Sequence, residues 1–99
     1  MNPDISRFLN ENGKVNKLPN KQIVKLVVLQ YLATKFDCKI IYSEKEINQI
    51  IDAWHTFGDY FLLRRELVDN LLISRTKDGS KYWVQEKQQQ KAPDPGLKI

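Results

Sequence analysis

Ile47, Ile50, Ile51 and Trp54 recur at three- and four-residue spacing, with Asn48, Gln49 and Asp52 between them. That period describes a helix with one apolar face. Ser43-Glu44-Lys45-Glu46 in front of it is an S-x-x-E capping box, in which the Ser43 hydroxyl and the Glu46 carboxylate each satisfy the other's amide. His55-Thr56-Phe57-Gly58 reads as the following turn, and Asp59 as the N-cap of a second helix over Tyr60–Asn70. In that helix Tyr60, Leu63, Leu67, Val68 and Leu71 mark the core side, while Leu62, Arg65, Glu66 and Asp69 point away. Asn70 closes it. Leu72–Thr76 and Lys81–Val84 are β-prone runs joined by Lys77-Asp78-Gly79-Ser80, whose Asp-Gly pair suits a hairpin turn.

The upstream half has a different pattern. Asn2-Pro3-Asp4 suits a helix start, Ile5, Phe8 and Leu9 follow at helical spacing, and Asn12-Gly13 ends that helix. Lys14–Leu18 is extended before Pro19, and Asn20 is the expected N-cap of a long helix over Lys21–Phe36. This helix is apolar on two sides. Ile23, Val27 and Tyr31 lie on one, and Val28, Leu29, Leu32 and Phe36 on the other. Such a helix is either sandwiched inside its own domain or shared with a second copy in a homodimer. Ile40-Ile41-Tyr42 makes a short strand. From Gln85 the chain turns polar and proline-containing, QEKQQQKAPDPGLKI, as in a loosely ordered tail.

Taken together the elements predict an α+β fold. It is a winged helix-turn-helix with an N-terminal helical extension over 1–19, a core over 20–84 ending in a two-stranded wing, and a tail over 85–99. The 99 residues fit one domain, and 41% hydrophobic content is enough for one modest core. No apolar run reaches the ~18–20 residues of a membrane span. No signal peptide is read at the N-terminus. A single cysteine, Cys38, allows no internal disulfide and no cysteine-based zinc site. A cytoplasmic protein is the simplest expectation.

Charge changes this picture. The net charge is +4 with a pI of 9.2. Residues 1–42 carry +4, residues 43–74 carry −3, and residues 75–99 carry +3. The helix-turn-helix segment is therefore acidic between two basic segments.

Three runs resemble a known family: YSEKEIN, WHTFGDYFLLRRELVDN and LLISRTKDGSKYW. They are similar to a bacterial domain family of unknown function that occurs alone or appended to helix-turn-helix regulators. Phe8–Phe36 resembles its N-terminal part, so the likeness covers about residues 8–84. The resemblance implies a winged-helix-like fold and a link to transcription regulation. It implies no ligand and no assigned functional residues.

The leading expectation is a small non-enzymatic regulator that binds double-stranded DNA. The helix over 60–70 would lie in the major groove and the wing on the backbone. Thr56, Tyr60, Leu62, Arg65, Glu66, Arg75, Lys77, Ser80 and Lys81 are the candidate contacts. The alternative is a protein-interaction module that keeps the fold without reading DNA, as the −3 segment suggests. Arg65 is placed either on a guanine edge or in a surface pair with Asp69. Arg64, near the core side, is expected to pair with an acid on the preceding helix. His55 is expected to be a partly buried ring bonded to backbone. Trp54, Trp83, Tyr82 and Phe57 read as core aromatics, with a stacking platform for single-stranded nucleic acid as the other option. No constellation for catalysis, a metal or a cofactor is present.

Overall fold

Helix α2 (Glu44–Ala53) begins as its sequence requires. The Glu46 amide donates to Ser43 Oγ at 3.1 Å and the Ser43 amide to Glu46 Oε1 at 2.8 Å. The structure, a computed structural model, describes residues 5–84. Besides α2 these form α1 (Gln22–Ala33), α3 (Tyr60–Asp69) and an antiparallel hairpin of β1 (Ile73–Arg75) with β2 (Tyr82–Val84). The register sets Ile73 opposite Val84 and Arg75 opposite Tyr82.

One core lies between the three helices and the hairpin. Leu29 and Leu32 of α1, Ile47 and Ile51 of α2, Leu63 and Leu67 of α3, and Ile73, Tyr82 and Val84 of the hairpin are all buried in it. Ile40-Ile41-Tyr42 does not form the expected strand. Tyr42 alone makes a two-way bridge to Tyr82, its amide and carbonyl exchanging bonds of 2.7 and 2.8 Å. Ile40 and Ile41 remain exposed. The layout of three helices, a bridge residue and a terminal hairpin is compatible with a winged-helix-like arrangement.

The N-terminal segment departs from expectation. Instead of a helix it has one 3-10 turn, Ser6–Phe8. Asn2, Pro3 and Asp4, and the tail over 85–99, lie outside the described residues. Beyond the turn the chain runs extended. Val15, fully buried, donates its amide to the Trp54 carbonyl at 2.9 Å and accepts from the Thr56 amide at 3.0 Å. The extended run over Lys14–Leu18 is as expected, and it takes the backbone groups a helix before it would need: the Phe8 carbonyl accepts from the Asn16 amide at 2.7 Å and the Asn10 amide donates to the Lys14 carbonyl at 2.8 Å.

The second apolar side of α1 is covered in part from within the chain. Val28 is buried with Phe8 and Val15, and Val24 and Tyr31 pack on the same cluster. Of the side formed by Ile23, Val27 and Tyr31, this cluster takes in Tyr31. Helix α1 is shorter than Lys21–Phe36 at both ends, and its N-cap is Lys21 without a side-chain cap bond, rather than Asn20. Only Ile23, 68% exposed, and half-buried Val27 are left on its outer strip.

Helix α3 ends in an unusual way. The Leu71 amide bonds to the Val68 carbonyl and the Leu72 amide to the Leu67 carbonyl, which is a Schellman pattern. Its left-handed position, φ 62°, is held by Leu71. Glycine is the usual occupant there, because a Cβ costs about 1–2 kcal/mol in that conformation. Leu71 is also 71% exposed, so it was misplaced by assignment to the core side. Leu71→Gly is therefore expected to raise stability by about 0.5–1 kcal/mol, the relieved strain exceeding the added freedom of the unfolded chain. An unchanged or lower urea midpoint would contradict this.

Candidate functional site: the cleft between α3 and the hairpin

The α2–α3 turn sets the direction of α3. Gly58 takes φ +65°, and Asp59 caps α3 by accepting from the Leu62 amide at 3.1 Å. His55, 5% exposed, organises the turn from inside. Its Nε2 accepts from the Asp59 amide at 2.8 Å. Its Nδ1 lies 2.7 Å from the Ile51 carbonyl, so the ring that satisfies both partners carries its hydrogen on Nδ1. Phe57 packs edge-on to the same ring at 4.7 Å. The expected backbone-bonded histidine is present, and among the described residues no group of three or more His, Cys, Asp or Glu lies close enough to hold a metal.

With α3 so oriented, a cleft of about 340 Å³ opens between it and the hairpin. Phe61, Arg64, Arg65, Val68 and Asp69 form one wall, and Arg75 and Tyr82 the other. Arg64 is largely engaged. Its Nη1 donates to Asn48 Oδ1 at 2.7 Å and to Glu44 Oε2 at 3.2 Å, as expected of a pair with α2, and its guanidinium lies over the Phe61 ring. The side chains of Arg65 and Arg75 have no hydrogen bond or ion pair among the described residues. The Arg65–Asp69 pair allowed by sequence is not formed. Gly79, with φ +74°, makes room for Arg75: a Cβ there would stand 3.1 Å from Arg75 Nη1.

The nine candidate contacts do not converge. Arg65 and Arg75 face one cleft, and Lys77 and Lys81 are exposed on the wing beside it. Glu66 is turned toward α1, where it pairs with Lys25 at 3.6 Å. Leu62 is half-buried rather than solvent-facing. Tyr60, read as a core residue and a contact, is 40% exposed and lies against the outer side of α2 beside Glu44, Asn48 and Asp52. Thr56 donates its hydroxyl to Asn16 Oδ1 at 2.9 Å, which ties the turn to the N-terminal segment. Ser80 is used within the wing turn. Phe61 was missed by sequence reasoning, and Arg64 was read only as structural. The signal that would have found Phe61 is its three- and four-residue spacing to Arg64 and Arg65.

The wing tip is held by a carboxylate. Asp78 Oδ1 accepts from the Thr76 hydroxyl at 2.7 Å, the Ser80 hydroxyl at 2.8 Å and the Ser80 amide at 3.0 Å. These bonds, the Thr76 hydroxyl first, lower the Asp78 carboxyl from its ordinary value to about 2. The group favours the ordered turn above its unfolded value of about 4, and this contribution is lost as pH falls through about 2. Wing order, followed through Trp83 fluorescence, should therefore weaken between these pH values. Asp78→Asn should remove that acid component while leaving the main unfolding transition in place.

Three helices and a terminal antiparallel hairpin make this a mixed α+β domain, compatible with a winged-helix-like layout. Residues 14–84 match the family described as uncharacterized protein conserved in bacteria (DUF2087), and the chain belongs to that family. No curated protein and no solved structure matches it. Among the described residues no helix is long and apolar enough to cross a membrane.

Proposed function

We propose that this protein is a non-enzymatic, winged-helix regulator of transcription that binds double-stranded DNA in the cytoplasm. One observation carries the reading: two guanidiniums with no hydrogen-bond or ion-pair partner among the described residues, Arg65 and Arg75, line one cleft between α3 and the wing. Lys77 and Lys81 extend the same positive surface along the hairpin. The net acidity of residues 43–74 weighs less against DNA than the sequence suggests. Glu66 is turned to Lys25, Glu44 is paired with Arg64, and Asp52 lies on the outer side of α2. In this reading α3 enters the major groove and the wing contacts the flanking backbone.

Titration with mixed-sequence duplex at two salt concentrations tests it. Binding should be salt-sensitive, and Lys77→Glu with Lys81→Glu should weaken it on the order of ten-fold or more at about 0.1 M salt. No binding at low salt would refute the reading.

A protein-interaction module is the second reading. Leu71, exposed and held in a strained backbone conformation, favours it. A homodimer through the outer strip of α1 would rest on Ile23 and Val27 alone, and a strict monomer in light scattering at high concentration would remove it.

A further inference from the structure

The positive charge between α3 and the wing lies in a concave surface, not on a projecting one. A guanidinium that reads a base must reach the groove floor from a convex edge. Arg65 and Arg75 instead line one cleft, the first on its helix wall and the second on its strand wall. What fits between two such walls is a ridge of negative charge. On duplex DNA that ridge is the sugar–phosphate strand separating major from minor groove. If α3 lies in one groove and the wing beside the next, this strand must pass between them.

We propose that the α3–wing cleft seats one sugar–phosphate strand, with Arg65 and Arg75 clamping its phosphates from opposite sides. The assignment rests on the duplex-binding reading above and specifies it. Arg64 supplies a third, partly neutralised guanidinium, fixed by Glu44 and Asn48. Phe61, 55% exposed, and half-buried Val68 offer apolar surface to the deoxyribose. Asp69 lines the same cleft and has no ion-pair partner among the described residues. Its carboxylate repels a phosphate, and this gives the proposal a test of sign.

The experiment measures binding of the full chain to two unrelated duplexes of about 20 base pairs across about 50–200 mM salt. Arg65→Gln and Arg75→Gln should each reduce the slope of log K against log salt by about 1, and both together by about 2. The loss should be equal on the two sequences, because a phosphate contact carries no base information. Asp69→Asn should tighten both complexes several-fold. An unchanged slope in the double variant, a loss confined to one sequence, or weaker binding by Asp69→Asn would overturn the clamp while leaving duplex binding intact. If the unaltered chain binds neither duplex at low salt, the broader reading fails and the clamp with it. All three positions are exposed, so circular dichroism should show the fold of each variant unchanged.

Discussion

His55→Ala is expected to destabilise the fold by about 3 kcal/mol, because it removes the ring from a buried site, takes the Asp59 amide's acceptor away and leaves the Ile51 carbonyl with the Trp54 amide alone. The Asp59 amide donates to the imidazole, and the Ile51 carbonyl accepts from it beside the Trp54 amide. The edge contact with Phe57 goes as well. The effect should spread to α3, since Asp59 holds the first turn of that helix through the Leu62 amide. Urea unfolding would show a lower midpoint at unchanged slope. His55→Asn makes the attribution specific. Its amide nitrogen stands where Nδ1 stands and restores the Ile51 bond but not the Asp59 bond, so about half the loss should return. A loss below about 1 kcal/mol for alanine would mean that solvent or a rearranged turn replaces the ring.

The second large effect belongs to Val15. Val15→Asp places a carboxylate at a fully buried position, packed with Phe8 and Val28. Burial of an unpaired charge should cost at least about 3 kcal/mol or drive the N-terminal segment off the domain. Either outcome exposes the Val24–Val28 side of α1, which dye binding to apolar surface would report. Lys17→Asp, two residues on and exposed, is the control and should stay within about 0.5 kcal/mol. Equal behaviour of the two variants would show that residues 5–19 contribute little to the fold.

Local rules were legible where both partners are near in sequence. The Ser43–Glu46 box, the Asp59 cap, the positive φ of Gly58 and the Asp78-Gly79 turn each involve residues within four positions of one another, and each is present. Misplaced features depend on distant partners. Periodicity puts Glu66 on the outward side of α3, but Lys25 of α1 draws it to the opposite flank. The solvent arc of α3 therefore runs through Phe61, Arg65 and Asp69, not through Leu62 and Glu66. Tyr60 and Leu71 share the core phase of the helix but sit at its two ends, where no facing element covers them. The apolar spacing of Ile5, Phe8 and Leu9 suggested a helix, while the Phe8 carbonyl and the Asn10 amide were claimed by Asn16 and Lys14 of the extended run that follows. The candidate cleft was half legible: its lone cations on α3 and the wing were visible, their convergence was not.

The stitch between the N-terminal segment and the α2–α3 turn also sets an order of events in time. Asn16 and Thr56 meet across 40 positions of chain. A contact so distant in sequence carries a loop-closure cost that local contacts do not, so the packing of α2, α3 and the hairpin should form before the turn that aims α3 is locked. On a ribosome the segment that completes this turn emerges first and waits for its partner. In the folded protein the amides of Val15 and Thr56, bonded to the Trp54 and Val15 carbonyls, should share one opening event and show similar protection against exchange, below that of the core amides of α3. The aim of α3 toward any partner is thus governed by the residence time of the N-terminal segment.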